Sequence, residues 1–297
     1  MHEYRYTVAG HCFSVRAAEG IDLSGALAHY APFAAGTGSG TGTVPEGEPV
    51  FRLTLVPQEQ LPVPAALVTE LLQDDDGSQI RVCRTEDGGS WFEFSLHGRL
   101  SGRMRTDAAF RAAALSVCRD LDFALNNALM VLYALGTARK GTALFHAAAV
   151  GYEGRGYLFL GRSGTGKSTH ARLWLKYIPG AELLNDDNPV VRTFPDGSVR
   201  VYGSPWSGKT PCYRNLSLPV GGFVQLAQAP QNLIRRLHGI AAYATLVPSI
   251  SGKRWDRLSA DGLHETEEAL VARIPVWQLD CLPDEAAALL CRDHITV

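Results

Sequence analysis

Paired cysteines are missing from this chain of 297 residues: Cys12, Cys83, Cys118, Cys212, Cys281 and Cys291 lie apart, with no C-x-x-C among them. The spacing argues against a zinc site and against a disulfide framework, so reduced thiols are expected. An excess of one charge is missing too. With 28 Lys and Arg against 30 Asp and Glu, the net charge of −2 offers no field for nucleic acid or an anionic membrane, and neither is expected as a partner. Long hydrophobic runs are absent: the stretch 124–134 is interrupted by Asn126 and Asn127 and is too short to span a bilayer. Met1-His2-Glu3-Tyr4-Arg5 has no basic region leading into an apolar core, so no secretory signal and a cytoplasmic location are expected. No repeat of fixed period appears. What remains, 46% apolar and 20% charged residues, is the composition of a globular chain long enough for one large domain or two.

The most informative stretch is Gly161-Arg162-Ser163-Gly164-Thr165-Gly166-Lys167-Ser168, which fits the phosphate-loop pattern G-x-x-x-x-G-K-[ST] at every fixed position. The apolar run Tyr157-Leu158-Phe159-Leu160 before it reads as a buried strand, and 169–177, with Ala171, Leu173, Trp174 and Tyr177 among polar residues, reads as a helix. Glycines at these positions let successive N–H groups converge on a polyphosphate at the positive end of a helix. In that pattern the backbone from Gly161 to Thr169 cradles the phosphates, Lys167 reaches the outer ones, and Ser168 holds magnesium. The alternative is a glycine-rich turn without a ligand.

Residues 1–118 are expected to form a strand-rich N-terminal domain, with alternation at Tyr4, Tyr6 and Val8, at 12–15 and at 51–56 implying a half-buried antiparallel sheet. The Gly-, Thr- and Pro-rich segment 34–49 reads as a mobile surface loop, and the acidic run Asp74-Asp75-Asp76 as a solvated turn. Residues 80–84 and 91–96 flank Glu86-Asp87-Gly88-Gly89 and should pair as a hairpin. Apolar spacing at Leu121, Leu125, Ala128, Leu129, Leu132 and Leu135 predicts a helix, taken as a bridge over 119–140. The remainder, 141–297, is the phosphate-loop domain.

Within it, the apolar run 143–151 and the strand at 157 are joined by a glycine turn too short for a parallel crossover, so the strand feeding the loop should be the second arm of a hairpin. A strand from Glu182 ends in Asp186-Asp187, and Pro195-Asp196-Gly197 turns another hairpin. A loop at 203–209, a strand at 223–227, helices at 232–246 and 260–274, a strand at 276–281 and a helix begun by Pro283-Asp284-Glu285 complete the chain. One carboxylate of the Asp186-Asp187 pair could fix a metal while the other takes a proton from an attacking hydroxyl, a division of labour suited to phosphoryl transfer. The other reading of the pair is a plain turn before Asn188-Pro189. Lys209 and Arg214 are either cations for the transferred phosphoryl group or ordinary surface charges, and Trp206 either lines an acceptor pocket or is buried structure.

His146, the hairpin into the glycine loop and the Asp-Asp pair resemble the catalytic domain of bacterial HPr kinase/phosphorylase and, more distantly, ATP-dependent phosphoenolpyruvate carboxykinase. Gly203-Ser204-Pro205-Trp206-Ser207-Gly208-Lys209 with Arg214-Asn215, and Ile274-Pro275-Val276-Trp277-Gln278-Leu279 before Cys281, resemble a substrate-unassigned branch of HPr-kinase-like proteins. The resemblance implies an α/β phosphate-loop kinase domain with a mixed sheet, preceded by a smaller strand-rich α+β domain. It further implies ATP and Mg²⁺ as cofactors, Asp186 as base, Asp187 beside the metal with Ser168, and His146 near the phosphates. Ala147 stands where HPr kinases carry glycine, and their downstream glycine-rich segment has no counterpart, which points away from HPr as substrate. The expectation is an ATP- and Mg²⁺-dependent kinase acting on the hydroxyl of a small molecule or a peptide serine. The alternative is a nucleotide-binding sensor with little or no transfer; assembly into a homo-oligomer is left open.

Overall fold

The computed structural model describes every residue except Met1, Glu19, 36–47, Asp76, Lys209 and Val297. It is a mixed α/β protein with two mixed sheets and few helices, and the chain divides into two compact units, Met1–Gly136 and Thr137–Val297.

The first unit is one eight-stranded sheet, β1 (His2–Val8), β2 (His11–Ala17), β3 (Arg52–Leu55), β4 (Val68–Asp75), β5 (Ser78–Arg84), β6 (Ser90–Leu96), β7 (Arg99–Thr106) and β8 (Ala112–Val117), in the order 1-2-3-8-7-6-5-4. Alternation sorts each strand's side chains by face. Tyr6, Phe13, Leu53, Leu115, Met104 and Phe92 are buried, and Glu3, Arg16, Arg103 and Arg105 are not. Helix α1 (Leu121–Thr137) crosses β7 so closely that a Cβ on Gly102 would lie 2.9 Å from the Ala124 Cβ. The expected antiparallel sheet is corrected to a mixed one, because β3 pairs in parallel with both β2 and β8. Alternation reports burial of one face and is blind to strand direction. Strands β4, β7 and β8 went unread, and Asp74 and Asp75 extend β4 instead of forming a turn. Most of the segment 34–49, and Asp76, lie outside the described residues.

The second unit holds β9 (Thr142–Leu144), β10 (Ala147–Tyr152), β11 (Arg155–Leu160), α2 (Lys167–Tyr177), β12 (Glu182–Asp187), β13 (Val190–Thr193), β14 (Val199–Tyr202), β15 (Ser217–Gln228), β16 (Leu233–Leu237), α3 (Gly239–Leu246), α4 (Arg257–Arg273), β17 (Val276–Cys281) and α5 (Glu285–Ile295). The central order is 12-10-11-15, with β17 parallel to β15 and β16 antiparallel to β17. The hairpin into the loop is present: β10 pairs antiparallel with β11, and β11 continues parallel to β15. Both faces of this sheet are covered, which is why its strands read as unbroken apolar runs. Ala147, Ala149, Leu158 and Leu160 join the core beneath α3 and α4, while Ala148, Val150, Tyr157 and Phe159 join that of α2 and α5, around Trp174 and Cys291.

Two expectations are corrected here. The run 143–151 is two strands, broken at Phe145 and His146, where the chain leaves its partner β13 and enters the β10–β11–β12 ladder. Residues 232–246 are not one helix. Leu233, Ile234 and Leu237 have helical spacing, but their backbone pairs along β17, with Arg236 over the Trp277 ring, and helix starts only at Gly239. Partner strands override local spacing in short segments.

Candidate functional site

Strand β10 runs antiparallel to both neighbours, with Ala147 opposite Leu160 of β11 on one side and opposite Asp187 of β12 on the other. The beginning of β10 is therefore level with the ends of β11 and β12. His146, the glycine loop that leaves Leu160, and the Asp186-Asp187 pair consequently share one end of the sheet. Two strand spacings separate the loop's root from Asp187, about 10 Å.

The loop needs its glycines for conformation. Gly161, Gly164 and Gly166 have φ of +153°, +79° and +108°, and Gly166 caps α2. Lys167 is 8% exposed, and its ammonium folds back to donate to the Gly161 carbonyl at 2.9 Å and the Arg162 carbonyl at 3.4 Å. The Thr165 hydroxyl also closes on the Arg162 carbonyl, at 2.7 Å. Ser168 and Thr169 form the first turn of α2, where the N–H groups have no helical acceptor and the helix dipole favours an anion. Arg162 and Ser163 lie on the loop's outer, exposed turn.

The acids are held by a buried polar network that the sequence reading missed. Asn185 donates through Nδ2 to the Ser204 hydroxyl at 3.2 Å and the Trp206 carbonyl at 3.3 Å, and its Oδ1 accepts from the Asn188 N–H at 2.9 Å. Ser204 in turn donates to the Asn188 carbonyl at 2.6 Å. These bonds fasten the segment 203–208 along β12. The Gly208 N–H donates to the Asp186 carbonyl, and a Cβ on Gly208 would fall 2.9 Å from that oxygen and 3.1 Å from the Asp187 Cβ. Only glycine fits there, and the one sequence sign of it was the glycine in Ser207-Gly208. Trp206 is 1% exposed, which makes it part of the packing and not of an open pocket.

The carboxylates differ in their surroundings. Asp186 is 2% exposed, and its Oδ2 is buried with no hydrogen-bond partner. Burying an unsatisfied carboxylate oxygen is costly, so a cation or a hydrogen-bond donor brought by a ligand would be stabilised there. Asp187 is more open and carries a φ of +143°, a strained setting for a residue with a Cβ. The Asn188 amide holds its Oδ2 at 2.6 Å, and His146 Nε2 lies 3.8 Å from its Oδ1.

His146 is thus beside the acid pair, with its own backbone N–H donating to the Ser249 carbonyl at 2.7 Å. Arg214 is elsewhere: it donates to the Leu183 carbonyl at 2.8 Å and pairs with Glu182 at 2.7 Å, at the start of β12, roughly 10 Å of strand from Asp186. Lys209 lies outside the described residues. Among the described residues no group of three or more His, Cys, Asp or Glu side chains could hold a metal ion. No described helix is long and apolar enough to cross a membrane.

No protein-family profile matches the chain, and no curated protein does. Among solved structures it is similar to the HPr(Ser) kinase/phosphatase from Coxiella burnetii, at 13% identity over 52% of this chain and 93% of that one, with a TM-score of 0.31. A likeness at that score decides neither fold nor activity.

Proposed function

We propose that the second unit is a phosphate-loop kinase domain that transfers the γ-phosphoryl group of ATP, with Mg²⁺, to the hydroxyl of a small molecule or a peptide serine. The observation that carries this reading is the buried, unsatisfied Asp186 carboxylate at the sheet end from which the glycine loop also leaves. The residues present fit both groups. Lys167 can exchange its loop carbonyls for phosphate oxygens, the N–H groups of the loop and of the first turn of α2 have an anion to bind, and Ser168 and Asp187 supply hard oxygen ligands. Bound magnesium would supply charge neutralisation on the phosphates.

Asp186 accepts the acceptor's hydroxyl proton as that oxygen bonds to the γ-phosphorus and ADP leaves. Its burial among the bonds of Asn185, Ser204 and Gly208 fixes where that proton goes. Asp187 is oriented by Asn188, and His146 stands close enough to contribute charge or a hydrogen bond beside it. Arg214, engaged with Glu182, has no part in this arrangement.

The test is ADP formation with magnesium and pooled hydroxyl metabolites or serine peptides, for the wild type, Asp186→Asn and Lys167→Ala. One pool should acquire phosphate, with turnover down about 10²- to 10⁴-fold in Asp186→Asn while ATP binding is retained. ATP binding that is lost in Lys167→Ala, with no acceptor ever phosphorylated, would overturn the kinase reading in favour of a nucleotide sensor.

A further inference from the structure

A strand at the end of a sheet turns a row of N–H and C=O groups outward, and proteins cover or charge such edges to keep other strands off them. Among the described residues, the edges at β1, β12, β9 and β16 are guarded. Outside β1, Ala34 bridges Tyr6 and the Ala35 N–H donates to the Arg5 carbonyl. Outside β12 runs the segment 203–208, with Ser207 bridging Asp187. Outside β9, Ile250 bridges Phe145 and the Ser251 N–H donates to the Leu144 carbonyl. Strand β16, paired only with β17, carries the exposed cations Arg235 and Arg236.

Strand β4 is the exception. It ends the order of the first sheet, and no strand among the described residues pairs with its outer side. Over 68–73 its exposed side chains are Val68, Thr69, Leu71, Leu72 and Gln73, none of them charged. Val68 is 55% and Leu72 61% exposed. Glu70, at the strand's bulge, does not guard the edge: its side chain is 12% exposed and pairs back onto Arg84 of β5 at 3.8 Å.

The register shows what this edge is missing. Leu55, Leu115, Met104, Phe92, Val82 and Leu71 stand opposite one another in turn on β3, β8, β7, β6, β5 and β4. The first five are at most 5% exposed, whereas Leu71 is 36% exposed. A row of the core therefore runs out at the edge for want of one more strand.

We propose that β4 pairs antiparallel with β4 of a second copy of this chain, across a two-fold axis beside Leu71, so that two eight-stranded sheets become one. Each Leu71 then prolongs the other copy's core row, and the outward backbone groups of both strands are paired over eight residues, about 26 Å. Antiparallel pairing also sets the acidic positions 74 and 75 of the two copies at opposite ends of the junction, where parallel pairing would lay like charges side by side. Such a self-complementary contact closes at two copies. It concerns the first unit and does not rest on the kinase reading.

The experiment is analytical ultracentrifugation of the full chain over a concentration series. Wild type is compared with Leu71→Lys and Leu72→Glu, each of which puts two like charges beside the axis, and with Leu233→Lys, which alters an exposed leucine (59%) on the guarded edge β16. Wild type should pass from monomer to dimer with a Kd of about 10 μM, as suits an interface one strand long. Both β4 variants should raise that Kd about tenfold or more, and Leu233→Lys should match wild type. Far-UV circular dichroism checks that each variant is folded; if Leu71→Lys is not, Leu72→Glu decides alone, since that side chain lies outside the core row. A wild type that stays monomeric to about 100 μM overturns the proposal, as does a mass that grows beyond two copies. A dimer that the folded β4 variants leave intact, or that Leu233→Lys weakens equally, overturns it too.

Discussion

Glu267 on α4 is fully buried, accepting from Arg254 at 2.7 Å on one oxygen and from the Tyr243 hydroxyl at 2.7 Å on the other. The same Arg254 nitrogen donates to the Val247 carbonyl at 2.8 Å, holding the turn Val247–Ser249 whose last carbonyl receives the His146 N–H. Arg254→Ala strands a carboxylate in the interior, a change that costs about 3–5 kcal/mol when a pair is fully buried. The Arg254 side chain is 35% exposed, so water can reach the vacated site and the expected cost is at the low end, about 3 kcal/mol. Glu267→Gln keeps an acceptor for Arg254 and should cost less, about 1–2 kcal/mol. The double variant Arg254→Met, Glu267→Leu removes both charges, and Tyr243 retains His264 Nδ1 at 2.8 Å, so it should be within about 1 kcal/mol of wild type. Urea unfolding followed by tryptophan fluorescence reads this, since Trp174, Trp206, Trp255 and Trp277 all belong to the second unit. A double variant less stable than Arg254→Ala, or an Arg254→Ala cost below about 1 kcal/mol, would refute the reasoning from buried charge.

Three further outcomes are expected. Gly208→Ala drives a Cβ against the Asp186 carbonyl and should cost about 1–3 kcal/mol in urea unfolding, with phosphoryl transfer reduced more than nucleotide affinity; an unchanged midpoint would contradict the close approach. Gly166→Ala meets no atom within 4 Å, so its cost is backbone strain alone, about 1–3 kcal/mol at a φ of +108°, and a neutral substitution would show that the loop readily leaves this conformation. Burial pushes His170 from 6.5 down to about 4, so between those values the unfolded chain binds more protons than the native one. Its contribution is complete above about pH 6.5 and falls by up to about 3 kcal/mol as the pH drops through 4. A His170→Phe variant whose stability declines over that interval as steeply as the wild type's would remove this histidine from the account.

Local signals carried the reading of the second unit a long way. The β10–β11 hairpin, the loop, α2 and the β13–β14 hairpin each depend on residues within a few positions of one another, where turn chemistry and spacing act directly. The parallel alignment of β11 with β15 and of β15 with β17 was not legible, because apolar runs buried on both faces carry no mark of their partners. β16 was taken for helix because Leu233, Ile234 and Leu237 have helical spacing, and the partner that holds them extended, β17, lies far along the chain. Within the candidate site, Lys167 announces itself by motif, the Asp186-Asp187 pair by its place at a strand end and His146 only through the resemblance, whereas Asn185, Ser204 and Gly208 act through bonds to a segment some twenty positions away that no local pattern encodes. Of the two readings open for Arg214, the pair it makes with Glu182 at the start of β12 favours the ordinary surface charge.

The excursion 239–273, hung between β16 and β17, meets the strand break before β10 through the bonds from His146 to the Ser249 carbonyl and from Ser251 to the Leu144 carbonyl. The root of the loop and the acids are instead aligned by the β10–β11–β12 ladder, with Asn185, Ser204 and Gly208 tying the segment 203–208 alongside. The place of His146 is therefore answerable to a part of the chain that supplies none of the β10–β11–β12 ladder: a change confined to 239–273 can move His146 against Asp187 while loop and acids stay in register.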